Sequence, residues 1–309
     1  MPQIVLILSK EKILELKSFY KNSLKAAPPG AIFSAKTSNS SITAYKSGKV
    51  LFQGASPETE AAKWGSVQQT TSENKKGTLK SAHSYAPPSS LFTSSHIGSD
   101  EAGTGDYFGP ITVAAAYVKK EQIPLLKEIG VKDSKNLTDD KIQLIAKEIV
   151  KMKVPYSLVI LHNEKYNKLQ SKGWTQGKMK TMLHHHAITK LLKKIEPNKP
   201  VGILIDQFSL PHSYKNHLKS EREVLQENVY FMTKAESHSI AVATGSIIAR
   251  ASFVKEMDKL SDLAGVTLPK GASQKVDKVA GGILRNIGLD ELSKYAKIHF
   301  ANTEKAKHY

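Results

Sequence analysis

Short apolar runs alternate with longer stretches of helical periodicity along this 309-residue chain. They fall into two groups separated by a polar interval. In the first group, residues 4–8 form an apolar run suited to a strand. Ser9 is placed to cap a helix over 10–24, with Ile13, Leu14, Leu16, Phe19 and Tyr20 supplying its apolar face. Pro28, Pro29 and Gly30 end that segment. Three strands follow over 31–36, 41–45 and 49–53, with turns at Ser38–Asn39 and Ser47–Gly48, and a helix over 57–64 closes the unit. The predicted order is β-α-β-β-β-α.

Residues 66–95 are dominated by Ser, Thr, Gln, Asn and Lys and read as a flexible linker. A second domain is expected from residue 96 to 309. Its apolar runs at 111–118, 157–161, 201–205 and 229–232 suit strands. Helical spacing marks 139–152, 178–194 and 237–260, and the tail over 275–300 reads as helices broken near Gly281–Gly282 and Gly288. Two early strands joined by a tight turn, followed by α/β alternation, predict a mixed sheet flanked by helices.

Charge adds a partner to this picture. Lysine and arginine number 45 against 28 acids, a formal net charge of +17. Such an excess suggests a polyanion, either nucleic acid or an acidic membrane surface, although a basic protein without such a ligand has the same composition. Residues 1–65 hold nine lysines and four acids, a net +5. That unit is either a nucleic-acid platform or a small structural domain with a solvated lysine surface. The chain has no cysteine, which excludes disulfides, thiolate metal sites and a cysteine nucleophile. The apolar start over 1–8 is too short for a signal segment and no run reaches the length of a membrane span, so a cytoplasmic location is the default expectation.

Carboxylates stand at the edges of three apolar runs. Asp100 and Glu101 precede the 111–118 strand, Asp206 ends the 201–205 run, and Glu236 follows the 229–232 run. Carboxylates are the ligands magnesium prefers, so several of them facing a polyanion make two-metal phosphodiester cleavage physically sensible. Each also has a structural reading. Asp100 and Glu101 could begin a turn, and Asp206 could cap a loop. Glu236 completes a capping box in Thr233-Lys234-Ala235-Glu236. Neighbours on a regular strand point to opposite faces, so Asp100 and Glu101 share a site only where the strand bends, bulges or ends.

The segment Asp100-Glu101-Ala102-Gly103-Thr104-Gly105-Asp106-Tyr107-Phe108-Gly109-Pro110 resembles the signature of the type 2 ribonucleases H. The likeness continues through Lys132-Asp133-Ser134-Lys135, Ile205-Asp206, Lys234-Ala235-Glu236 and Gly245-Ser246-Ile247-Ile248-Ala249-Arg250. Thr104, Glu236 and the N-terminal extension resemble the HIII branch. The HII branch usually has arginine and aspartate at those two places and lacks the extension. The resemblance implies an RNase H-like fold and a small N-terminal α+β domain similar to a TATA-binding-protein repeat. It implies Mg²⁺ or Mn²⁺ dependence, an RNA/DNA hybrid as partner, and products ending in 5′-phosphate and 3′-hydroxyl. By matching position, Asp100, Glu101, Asp206 and Glu236 become the metal-binding and catalytic acids. Gly103, Thr104 and Gly105 become readers of the ribose 2′-hydroxyl, which distinguishes RNA from DNA, and Ser134 and Lys135 become further substrate contacts. Threonine in place of the HII arginine implies preference for runs of ribonucleotides over a single embedded one.

Other signals carry less. The glycines at 103, 105 and 109 miss the dinucleotide fingerprint by one residue, and Gly173 to Lys178 lacks the spacing and hydroxyl of a phosphate loop. His184, His185 and His186 spread around a helix and cannot chelate one ion together; one could line a groove, and the structural reading covers the rest. Arg250 has a phosphate-contact and an ion-pair reading. Three functions stay open at this point: the hybrid-specific endonuclease, acting as a monomer without a protein partner; a non-catalytic nucleic-acid binder; and a nuclease of the same fold cutting at single-ribonucleotide junctions.

Overall fold

A computed structural model describes residues 3–28, 31–65, 85–132 and 137–309. The chain divides into two compact units, residues 1–80 and 81–309. In the first, β1 (Gln3–Ile7) is followed by α1 (Lys10–Phe19), β2 (Leu24–Lys25), β3 (Ala31–Lys36), β4 (Ser40–Tyr45), β5 (Lys49–Gly54) and α2 (Pro57–Ala61). Ser9 caps α1 by accepting the Lys12 N–H. The expected helix over 10–24 stops at Phe19, and the chain then turns to give the short strand β2, an element the pattern did not announce. The five strands form an antiparallel sheet in the order β1-β5-β4-β3-β2.

Alternation decides which face that sheet buries. Leu6, Phe33, Ala35, Ile42, Ala44, Val50 and Phe52 pack with Ile13 and Leu16 of α1. On the opposite face, registered neighbours form rows: Val5, Leu51, Thr43, Ser34 and Lys25 in one, Gln53, Ser41 and Lys36 in the next, with Lys49 beside Ile7. Short polar side chains and lysines therefore share this second face with Val5, Leu51 and Ile7.

The second unit holds β6 (His96–Ala102), β7 (Ile111–Val118), α3 (Ile123–Glu128), α4 (Asp139–Lys151), β8 (Tyr156–Leu161), α5 (Asn163–Ser171), α6 (Gln176–Ile195), β9 (Ile203–Asp206), α7 (Pro211–Ser220), β10 (Val229–Met232), α8 (Ile240–Ala264), α9 (Gln274–Tyr295) and α10 (Ala301–Ala306). Its sheet runs β10-β9-β6-β7-β8, with β10, β9 and β6 parallel and β7 antiparallel to both its neighbours. The β7 run is buried throughout because helices cover both faces. Val113 and Ala115 face α6, whereas Ala114 and Ala116 face α8 and α4.

At the centre, α8 crosses β6 at backbone distance. A Cβ on Gly98 would lie 2.0 Å from the Val242 nitrogen, so only glycine permits the approach. Ser239 caps α8 by accepting the Val242 N–H, and its hydroxyl is hydrogen-bonded to buried His96 Nε2 at 2.7 Å. The helix begins at Ile240, three residues after the expected start, because Ser239 is the working cap.

Several expectations change. Residues 85–95, read from sequence as the end of a linker, hold to this unit: Leu91 is buried and Tyr85 meets Phe231 edge-on. The rest of that linker, 66–84, lies outside the described residues, as do Ser134 and Lys135. The β6–β7 connection is a packed loop over 103–110, not a tight turn, because Tyr107 and Phe108 bury themselves against α9 and α10. In α9 the chain leaves helical geometry at Gly288 but runs unbroken through Gly281, whose missing side chain lets the chain's end pass close by. Among the described residues no helix is long and apolar enough to cross a membrane.

Lys297 fixes the 103–110 loop from behind. Its fully buried ammonium donates to the carbonyls of Asp106 at 2.7 Å and Gly109 at 2.6 Å. Burial pushes it down to about 7, against the pull of nearby Asp106. Between that value and the ordinary lysine range the unfolded chain binds more protons than the folded one, so stability rises with pH there. We expect the difference in Tm between the parent and Lys297→Met to be flat below about pH 6 and to move in the parent's favour from about pH 7 towards pH 10. A constant difference over that range would remove the lysine as its source.

Candidate active site

The parallel register places Ser99 opposite Ile205, so Asp100 and Asp206, the next residue on each strand, lie side by side at neighbouring strand ends. Asp100, Glu101 and Asp206 line one pocket with Gly103, Thr104, Gly105, Ser246 and Arg250. Adjacent residues on β6 do point to opposite faces, as the geometry of a strand requires. Asp100 turns towards α8, where it is hydrogen-bonded to Ser246, and its Oδ1 accepts the Glu101 N–H at 2.7 Å. Glu101 turns towards α6, where its carboxylate accepts from Lys180 Nζ at 2.8 Å and His184 Nε2 at 2.9 Å. They reach the same pocket because the strand ends there.

The two acids consequently differ in proton affinity. Burial, then the charges of Glu101 and Asp206, push Asp100 well above the ordinary carboxyl range. Burial also opposes the charge on Glu101, but His184 and Lys180 outweigh it and bring that residue down to about 2. Asp206 is pushed up to about 6, by burial first and by the charges of Glu236 and Glu101, although its Oδ1 accepts the Ala235 N–H at 2.8 Å.

Glu236 is buried in the single turn Ala235–Ser237 that follows β10. It joins the group through a hydrogen bond with Asp206. The capping-box reading of Glu236 fails: Lys234, which opens the turn, is left-handed with φ 56°, no side chain caps it, and α8 is capped by Ser239. An all-oxygen donor set of this kind fits a hard divalent cation. Among the described residues, however, no three acids or histidines already converge tightly enough to hold one; Glu101 is drawn towards α6.

The glycine-rich loop shares this pocket. Gly103 has φ 86° and passes so close to Pro110 and Phe253 that a Cβ would overlap both. Gly105 has neither constraint and open space beside it, so its missing side chain leaves the backbone approachable. The Thr104 carbonyl accepts from Gln176 Nε2 at 3.1 Å, and the same amide donates to Tyr166.

Sequence reasoning missed two members of this arrangement, Gln176 and Lys180, and left His184 as one of three histidines of which one could line a groove. Gln176, Lys180 and His184 recur every four residues on α6 and face Thr104, Glu101 and Ser99 in turn. That spacing was a visible signal, obscured by the eye-catching histidine run. The run itself splits as helix geometry demands: His184 enters the site and His185 pairs with Glu223 at 3.0 Å. Thr175 is simply the cap of α6, accepting the Lys178 N–H. Arg250 lines the pocket while donating to the Leu137 carbonyl and Asp139, both at 3.0 Å, which favours its ion-pair reading.

Known proteins share the sequence and fold of this chain. Residues 97–303 match the family model described as ribonuclease HII, and residues 3–77 match one described as a domain of unknown function (DUF3378). A protein of Oceanobacillus iheyensis named ribonuclease HIII is 59% identical, covering 99% of both chains. A ribonuclease HIII of Bacillus cereus is 54% identical over 98% of this chain and 97% of its own. The crystal structure of Bst-RNase HIII in complex with Mn²⁺ is 42% identical, covers 99% of this chain and 98% of its own, and superposes with a TM-score of 0.70. On the strength of these matches, the chain belongs to the ribonuclease HII family and groups within it with the ribonucleases HIII.

Proposed function

We propose that this chain is an endoribonuclease that hydrolyses the RNA strand of RNA/DNA hybrids by metal-assisted phosphodiester cleavage. The observation that carries the reading is the single pocket in which Asp100, Glu101 and Asp206 meet the Gly103-Thr104-Gly105 loop. Acids alone would repel a phosphodiester; beside a loop with approachable backbone they suit a cation-bridged one.

Asp100, Glu101, Asp206 and Glu236 hold Mg²⁺ or Mn²⁺ in this reading. Bound there, the metal supplies Lewis-acid stabilisation of the attacking and leaving oxygens. Water adds to phosphorus, the bond from phosphorus to the 3′ oxygen breaks, and that oxygen takes up a proton. The ends are then 5′-phosphate and 3′-hydroxyl. Gly103, Thr104 and Gly105 read the 2′-hydroxyl through backbone groups, and Gln176 fixes the Thr104 carbonyl in place. Ser134 and Lys135 remain proposed substrate contacts on the strength of the motif.

The first unit, over residues 1–65, serves as the substrate-binding domain. Lys25, Lys36 and Lys49 on the second face of its sheet support this role, since phosphate contacts need cations. All four acids come from one unit of one chain, so a monomer suffices.

Labelled RNA/DNA hybrid, double-stranded RNA, duplex DNA and DNA with one ribonucleotide, each incubated with Mg²⁺, Mn²⁺ or EDTA, test the activity. Cutting is expected on the hybrid in preference to every other substrate, and none with EDTA. Binding without cutting in either metal would leave a nucleic-acid binder instead. Asp100→Asn and Glu236→Gln should each lower kcat by about 100-fold or more, since such acids support several kcal/mol of charge stabilisation. A variant with full activity strikes its residue from the site.

Substrate choice gives a second test. Runs of ribonucleotides should be cut faster than a lone one in duplex DNA; equal rates would defeat the role assigned to Thr104.

The raised carboxyls give a third. Asp206 and Asp100 must lose protons to hold a cation, so apparent metal affinity should weaken as pH falls through about 6. Calorimetry in buffers of different ionisation enthalpy should show protons released on binding near that pH, and their absence would contradict the assignment.

A further inference from the structure

The stripe on α6 places a cation where the metal reading needs an open carboxylate. Lys180 Nζ lies 2.8 Å from Glu101 Oε1 and 4.1 Å from the centre of the Phe208 ring. Its side chain is 11% exposed and that of Glu101 13%, so the pair is largely shielded from solvent beside the pocket that Glu101 lines. The other Glu101 oxygen is held by His184, itself fully buried, hydrogen-bonded to Ser99 Oγ at 2.7 Å and stacked on Phe208 with ring centres 5.1 Å apart. His184 is locked by packing on every side. Lys180 is held by one carboxylate and one ring face, at the end of a long flexible stem.

We propose that Lys180 is a resident counter-ion that the divalent cation displaces from Glu101, and that the freed ammonium then pairs with a phosphate of the bound hybrid. This rests on the metal-holding reading of the acidic pocket. Two cations compete for one carboxylate: an ammonium beside Glu101 repels a divalent ion and occupies one of its lone-pair positions. Once displaced, Lys180 remains one helical turn from Gln176, which touches the Thr104 carbonyl of the loop proposed to read ribose. The hybrid backbone is the polyanion that this reaction brings to the mouth of the pocket. Metal and substrate thereby favour one another: the ion frees a phosphate ligand, and the phosphate removes the ion's competitor.

Mn²⁺ binding followed by electron paramagnetic resonance, without substrate, tests the exchange on the full chain. Lys180→Met and Lys180→Gln should bind Mn²⁺ at least about tenfold more tightly than the parent, because each removes the competing charge. Lys180→Arg should stay near the parent. Two neutral variants that bind no more tightly than the parent overturn the proposal. Asp100→Asn belongs in the same titration. If it loses Mn²⁺ while the neutral variants match the parent, only the lysine exchange fails; if it binds like the parent, the metal-site reading fails and takes the exchange with it. Hybrid affinity measured by anisotropy, with and without Ca²⁺ while the duplex stays intact, gives a second readout. The parent should gain more affinity from Ca²⁺ than Lys180→Met, with a salt slope steeper by about one in the presence of the ion. Equal gains would mean that the freed ammonium does not reach phosphate.

Discussion

The closeness of α8 to β6 governs the rest of the catalytic unit. Where Gly98 meets the first turn of the helix there is no room for a methyl group. Further along the helix, Gly245 rests on the carbonyls of Ala114 and Gly98. With the helix held this near, Ser246 arrives beside Asp100 and water is squeezed from that face of the strand end. The raised proton affinity of Asp100 is thus a packing result before it is an electrostatic one. A carboxyl acid in a close-packed interior resists ionisation, and the structure places one where a cation would make ionisation favourable.

The opposite face of the same strand is built on another principle. Glu101 meets a helix that offers the Lys180 ammonium and a hydrogen bond from His184, and its proton affinity falls despite comparable burial. Two residues adjacent in sequence, separated only by the alternation of a strand, have their proton affinities moved in opposite directions because different helices cover the two faces. Asp206 is also raised, to about 6, tied to Glu236 on one side and to a backbone N–H on the other. The pocket therefore has an uneven proton affinity across its width, set by which secondary element each acid happens to face.

Much of this was legible before any coordinates. The β7 run was read to the residue because a stretch rich in Ile, Val and Ala between Gly109-Pro110 and Lys119-Lys120 fits little else. Asp100, Glu101, Gly103, Thr104 and Gly105 were singled out together by the motif they share. What escaped depends on relations that sequence does not encode locally. Glu236 imitates a capping box, and only the competing cap at Ser239 shows that the helix starts later. Lys180 looks like one more surface lysine until the register of α6 against β6 is known. Gly281 looks like a helix breaker, whereas its role is to let the end of the chain pass. Tyr107 and Phe108 make a loop where a tight turn was expected because their partners lie almost two hundred residues later, as the Tyr107–Thr303 hydrogen bond shows.

That last separation has a consequence for how the protein comes into being. The loop carrying Gly103, Thr104 and Gly105 is braced from behind by the Lys297 ammonium, by Thr303 and by the backbone bridge from Phe108 to Ala296. All four acids leave the ribosome well before those residues do. During synthesis the chain thus carries its full acidic set for some sixty residues with an unbraced loop. The geometry of that loop is therefore completed last, once residues 296–303 have folded against it.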